Sequence, residues 1–274
     1  MDGRDPITSP LCVALDAPGR DDIERLACAT EPYVGLYKVG LTAYAANGPS
    51  LAAELAARKP VFLDLKLHDI PAQVAGALSA VADSGVRFVT VHASGGPAMI
   101  RAAVDAARER VDVLAVTVLS SLDDDLLDIV GVKGPAEAQV LRLADMSVAA
   151  GAAGIVCSPR EVSAIRSRFG KSDDGGPVLV VPGIRPDGAA PDDQRRTMPP
   201  EAALEAGADV IVVGRPITGA TDPRAAARSL STALTQHRQG GGPGEPLGGS
   251  SAGRFHRSEG GDPFRDTRSK KEGN

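Results

Sequence analysis

VFLDLKLHDIPAQVAGALSAVADSGVRFVTVHA, residues 61–93, reads as one strand–helix–strand unit. VFLDLK (61–66) is a short, nearly continuous apolar run, the pattern of a strand buried on both faces in a parallel sheet. Residues 71–83 open with proline and continue with alanine-rich helical spacing, and FVTVHA (88–93) is a second strand. The same alternation extends in both directions. LCVALD (11–16) and GLYKVG (35–40) precede the unit, and VDVLAVTVL (111–119), GIVCSP (154–159), VLVVPGI (178–184) and VIVVGR (210–215) follow it. Helical patterns fill the gaps at 21–31, 44–58, 97–108, 137–150, 159–168, 201–206 and 223–237. Eight strands alternating with eight helices predict an α/β fold, a (β/α)8 TIM barrel in a single domain. The main rival is a doubly wound open sheet. It usually carries a Gly-rich phosphate turn after its first strand, and DAPGRDD (16–22) is no dinucleotide fingerprint.

The composition narrows the function. The 274 residues are 43% hydrophobic and 24% charged, ordinary values for a globular enzyme. Aromatics make up 3%, there is no Trp, and the formal net charge is −5, which disfavours a nucleic-acid polymer as partner. No apolar run reaches the roughly 20 residues of a membrane span, and the opening MDGRDPITSP lacks the apolar core of a secretory signal. Cys12, Cys28 and Cys157 are widely spaced and odd in number, giving neither a disulfide framework nor a zinc pattern. A cytoplasmic location follows as an expectation. The chain divides into a short N-terminal extension (1–10), a catalytic barrel (11–238) and a Gly/Ser/charged tail (239–274) with too little to bury to offset its ordering entropy, so the tail is expected to be disordered. Two irregular stretches interrupt the barrel pattern, 171–176 and 185–200. The second hangs from the carboxyl end of the seventh strand, where such barrels carry their chemistry.

Charged residues at strand ends are the candidate site. Asp16 ends the first strand, Lys38 lies near the end of the second, and Asp64 and Lys66 lie two apart at the end of the third. Asp69 follows after one turn. Burying such charges is costly unless they are paired, and Lys38, Asp64, Lys66 and Asp69 have alternating signs suited to mutual neutralisation. Asp16 or Asp69 taken alone is equally well read as a helix cap. The D-x-K pair inside an apolar run, with a second Lys one strand away, points to catalysis. Farther on, the seventh strand ends in Pro182-Gly183-Ile184-Arg185 and the eighth in Gly214-Arg215. Loops after strands seven and eight frequently form a phosphate site in such barrels; Gly214 permits close backbone approach and Arg215 can fork onto phosphate oxygens.

DLKLHDIP (64–71) resembles the D-x-K-x-x-D-I-P signature of the bacterial-type orotidine 5′-phosphate decarboxylase family. ALD (14–16), KVG (38–40), VTVLSS (116–121), VPGIRP (181–186) with Gln194 beyond it, and VVGRPI (212–217) agree with it in order, so the resemblance spans residues 11–236. It implies a carboxy-lyase that converts orotidine 5′-monophosphate to UMP and CO2, the last step of de novo pyrimidine biosynthesis, with no metal or organic cofactor. By resemblance Lys66 donates the proton to the C6 carbanion and Asp64 sits beside the substrate carboxylate. Asp16 and Lys38 hold ribose hydroxyls and order the charge network. Asp69 and Ile70 are similar to residues lent to the neighbouring subunit's site, which implies a homodimer with shared active sites. Ser120 matches a pyrimidine-binding position, Gln194 a residue bridging base and phosphate, and Arg185, Gly214 and Arg215 phosphate-binding positions. His68 is read as a variable position within the motif and His92 as a packed histidine at the barrel mouth.

Two rivals stand beside this reading. A sugar-phosphate decarboxylase or hexulose-phosphate synthase is similar in its D-x-K-x-x-D core but uses Mg²⁺; the I-P after the core, Lys38 and the loop from Pro182 to Gln194 favour the orotidine family. A non-catalytic phosphate-ligand binder on a decayed barrel would leave Asp64, Lys66 and Asp69 free to drift, and all three are present.

Overall fold

A computed structural model of the chain describes residues 7–185 and 198–240. In order, the elements are β1 (Leu11–Ala14), α1 (Arg20–Thr30), β2 (Leu36–Gly40), α2 (Leu41–Asn47), α3 (Pro49–Ala56), β3 (Val61–Leu67), α4 (Pro71–Val81), β4 (Phe88–His92), α5 (Gly96–Ala107), β5 (Asp112–Val116), α6 (Asp124–Ile129), α7 (Ala136–Ala149), β6 (Gly154–Val156), α8 (Val162–Phe169), β7 (Val178–Val181), α9 (Pro200–Glu205), β8 (Val210–Val213), α10 (Arg215–Thr218) and α11 (Pro223–Gly240). Neighbouring strands pair in parallel and β8 returns to β1, closing the (β/α)8 barrel that the alternation predicts. The segment 186–197, with Gln194, and residues 241–274 of the expected tail lie outside the described residues.

The apolar runs conceal a strict alternation. Cys12, Ala14, Leu36, Phe62, Phe88, Leu114, Val116, Val156, Val180, Val210 and Val212 form one buried cluster inside the barrel. Phe62 and Phe88 meet edge to face there, with centroids 6.4 Å apart. The residues between them, such as Val13, Tyr37, Leu63, Val89 and Ile211, belong to the larger cluster under the helices. Alternate side chains leave a strand on opposite faces. Lys38, Asp64 and Thr90, each two residues beyond an inner-cluster member, therefore continue the interior layer upward. Below, Ile7 packs against the inner cluster and the Pro10 carbonyl accepts the Ile211 N–H at 2.9 Å.

The outer layer follows helical spacing. α1 buries Ile23, Leu26, Ala27 and Thr30, and α5 buries Met99, Ile100, Ala103 and Ala107. Three helices depart from the sequence reading, among them the short α10, which begins at Arg215 where the reading still had strand. The single helix expected over 44–58 is split at Gly48, whose φ of 74° ends α2, and Pro49 starts α3 at its first position. α6 was not anticipated. Asp123 caps it by accepting the Leu126 N–H at 3.0 Å, and two further acidic residues occupy its first turn. Among the described residues no helix is long and apolar enough to cross a membrane.

Candidate active site

The carboxyl ends of β1, β2 and β3 are adjacent, and their charged residues meet. The Lys38 ammonium lies 2.9 and 3.0 Å from the two Asp16 carboxylate oxygens and 3.6 Å from Asp64 Oδ2. The same Asp64 oxygen accepts from Lys66 Nζ at 2.7 Å. The result is an alternating row, Asp16–Lys38–Asp64–Lys66. Asp69 does not belong to it. It is exposed, and its Oδ1 accepts the Ile70 N–H at 2.6 Å. The neutralising partner at the far end of the row is Asp16.

Burial and charge act against each other in this row. Burial alone would raise the Asp64 carboxyl, but Lys66 and Lys38 beside it more than offset that and hold it below the ordinary carboxylate range. Burial alone would lower Lys38, and Asp16 and Asp64 more than offset it, so the ammonium stays charged. Cys12 is fully buried next to the row, and burial pushes its thiol up, so it remains a neutral hydrophobe. Lys38 is 11% exposed and Lys66 29%, which makes Lys66 the more accessible of the two ammoniums.

Three features of the row escaped the sequence reading. Gly40 is one: a Cβ there would lie 2.4 Å from Asp16 Oδ1 and 2.8 Å from Lys38 Nζ, so a side chain at this position would push the ends of the pair from where they meet. The second is the backbone of β3. Leu63 pairs with Val89 and Leu67 with Val91, so Asp64, Leu65 and Lys66 stand opposite Thr90 alone. Lys66 lies in the left-handed region at φ 51°, uncommon for a residue with a side chain. The third is Thr90 itself. Its fully buried hydroxyl donates to Asp64 Oδ1 at 3.0 Å and accepts the Lys66 N–H at 2.8 Å. The only signal in the sequence was one hydroxyl in an apolar strand, FVTVH.

A cavity of about 720 Å³ opens above the row, within the range of small-ligand sites. Asp16, Lys38, Asp64 and Lys66 line one side of it, and Ser120, Arg185, Gly214 and Arg215 also face it. Asp69 and Ile70 do not line it. The ends of the segment 186–197 are pinned at its rim: Arg185 N–H donates to the Met198 carbonyl at 3.0 Å, and Met198 N–H to the Gly183 carbonyl at 3.2 Å. His68 and His92 form a tilted pair with ring centroids 5.5 Å apart. Burial first, then the neighbouring His68 and Lys66, hold His92 below the usual imidazole value.

Fold and site define a (β/α)8-barrel enzyme whose cavity is lined by a self-neutralising Lys/Asp row and by Arg185 and Arg215. The model of the orotidine 5′-phosphate decarboxylase / HUMPS family matches residues 9–230, and the chain belongs to this family. It is 56% identical over 226 residues to the orotidine 5′-phosphate decarboxylase of Anaeromyxobacter sp. (strain K), covering 82% of this chain and 97% of that protein. The enzyme of the same name from Thermobifida fusca is 50% identical over 230 residues, with 83% and 97% covered. The crystal structure of orotidine 5′-phosphate decarboxylase from Lactobacillus acidophilus superimposes with a TM-score of 0.72 at 35% identity, covering 82% of this chain and 99% of that one.

Proposed function

We propose that the chain decarboxylates orotidine 5′-monophosphate to UMP and CO2, the last step of de novo pyrimidine biosynthesis, with Lys66 as the proton donor. The observation that carries the assignment is the row Asp16–Lys38–Asp64–Lys66 along one side of a cavity that Arg185 and Arg215 also line. The C6–carboxylate bond breaks and its electron pair stays on C6, in a ring position without a conjugated sink. A fixed ammonium stabilises that developing charge, because a preorganised site need not reorient at the moment of reaction. Lys66 then gives its proton to C6, forming UMP, and is reprotonated from solvent. Asp64 lies beside the departing carboxylate; Lys38 and Asp16 take the ribose hydroxyls. Ser120 binds the pyrimidine, Arg185, Gly214 and Arg215 take the phosphate, and Gln194 bridges base and phosphate. Phosphate binding remote from C6 contributes energy usable at the reacting carbon.

The working form in this reading is a homodimer in the cytoplasm. Asp69 and Ile70 follow directly on the catalytic strand yet line no part of their own cavity, and Ile70 is 63% exposed. Both are available to a second copy's site, with Leu41, 59% exposed after β2, as a further apolar contact. Three free cysteines accord with a reducing compartment.

The decisive experiment is a spectrophotometric assay with orotidine 5′-monophosphate, with and without EDTA. Turnover that persists in EDTA is expected, and no turnover would overturn the assignment. Mixing inactive Lys66→Ala with inactive Asp69→Ala subunits tests the shared site. Each hybrid dimer then has one site with both groups intact, so about a quarter of wild-type sites should recover under free, symmetric exchange. No recovery despite demonstrated exchange would mean that Asp69 serves its own chain.

A further inference from the structure

We propose that Thr90 is a positioning residue for the decarboxylation: its hydroxyl locks the Asp64 carboxylate to the Lys66 backbone and so fixes the proton donor at the reacting carbon. The inference rests on the reading of Lys66 as proton donor. Thr90 touches no substrate, since it is fully buried and does not line the cavity. It acts through both ends of the Asp64–Lys66 unit. By engaging Asp64 Oδ1 at 3.0 Å, it stops rotation of the carboxylate and leaves Oδ2 facing Lys66 Nζ at 2.7 Å and Lys38 Nζ at 3.6 Å. By accepting the Lys66 N–H at 2.8 Å, it supplies the partner for an amide displaced from the regular ladder by the bulge.

The geometry has little slack. Three residues of β3 stand opposite one of β4, and Lys66 holds a left-handed backbone that is unfavourable outside glycine. A conformation of that kind persists only where surrounding contacts over-determine it. One buried hydroxyl used as both donor and acceptor is such a contact. Valine matches threonine in shape and β preference, so packing alone gives no reason for a hydroxyl between Val89 and Val91.

Thr90→Val and Thr90→Ser separate hydroxyl from shape. The readouts are the single-turnover rate on orotidine 5′-monophosphate, UMP affinity by calorimetry, and circular dichroism. Thr90→Val should keep the fold and its UMP affinity while the rate falls about 10- to 100-fold, the loss expected when a charge-assisted bond is removed and a reacting group displaced. Thr90→Ser should retain most of the wild-type rate. A Thr90→Val enzyme as fast as wild type would overturn the inference. So would a Thr90→Ser enzyme as slow as Thr90→Val, or a loss of UMP affinity in step with the rate, because each would reduce Thr90 to packing. Should Thr90→Val not fold, Thr90→Ala against Thr90→Ser decides: a slow Ala with a fast Ser supports positioning, and equal losses overturn it. Wild type inert toward orotidine 5′-monophosphate would instead overturn the decarboxylase reading, whereas an active wild type with an indifferent Thr90 would overturn only this inference.

Discussion

Two ionic networks occupy opposite ends of one barrel and are built differently. At the mouth, Asp16, Lys38, Asp64 and Lys66 bond side chain to side chain beside an open cavity. At the base, the Arg166 guanidinium bonds mainly to backbone: it donates to the carbonyls of Gly207 at 2.8 Å, Pro177 at 2.9 Å and Gly170 at 3.1 Å, and pairs with Asp209. Asp209 in turn accepts from Ser172 Oγ and the Leu179 N–H, each at 2.6 Å. A charge tied to main chain staples segments together. A charge tied only to other side chains, with space above it, remains usable by a ligand. Barrel enzymes keep stability at the amino-terminal face and chemistry at the carboxyl-terminal face, and these two networks express that division in hydrogen bonds.

The comparison breaks if the ends respond alike to mutation. The largest effect is expected from Lys66→Ala, which should cost at least about 10³-fold in turnover, through loss of both the proposed proton donor and its charge. Asp64 would keep Lys38 and Thr90, so the melting temperature should stay near wild type. A folded Lys66→Ala with full activity would remove Lys66 from the chemistry. Next, Arg166→Ala should act on stability instead. It leaves Asp209 short of its counter-charge and three carbonyls without a donor, a loss of about 3–5 kcal/mol that lowers the melting temperature by roughly 10 °C. The kcat/KM of the folded protein should be unchanged; a large fall there would mean that the base network reaches the site. Arg215→Ala sharpens the same contrast. It should lower kcat/KM at least about tenfold through loss of the proposed phosphate contact, with part of the loss in kcat.

The smallest effect concerns pH. His92, with His68, Lys66 and Asp64 near it, has a native value below the ordinary 6.5. Between those two values the unfolded chain binds more protons, so stability falls as pH drops below 6.5 toward the native value, and is unaffected above 6.5. His92→Gln should flatten the decline of melting temperature below pH 6.5 in that window. An unchanged slope would mean that His92 contributes nothing to it.

The mouth was far more legible in the sequence than the base. Charges inside VFLDLK and GLYKVG are conspicuous because their surroundings are apolar, and strand periodicity alone sets Lys38 and Asp64 on one interior face. Thr90 gave no comparable signal, since threonine is an ordinary strand former. Its role comes from a bulge, and a change of register is invisible without the partner strand. Arg166 and Asp209 are 43 residues apart, and each looks like a surface charge beside a helix or loop until the barrel closes. The strands were legible for a simple reason, namely that burial on both faces demands apolar runs. The break at Gly48-Pro49 was written in the sequence but overridden by the alanine-rich pattern around it. α6 was hidden because a six-residue acidic segment has no periodicity to read.

The two hydrogen bonds that join Gly183 and Arg185 to Met198 hold fixed the points where the chain leaves the barrel rim and returns to it. Whatever course residues 186–197 take, the residues that flank them, Arg185 and Met198, are bonded to each other at the end of the seventh strand. That makes the rim a natural graft point. Exchanging the segment for one of different length or chemistry should change closure entropy only logarithmically, by about 0.6 kcal/mol per doubling, while barrel and charge row stay as they are. An engineer seeking a different phosphate ester could therefore vary this segment freely and leave the eight strands alone.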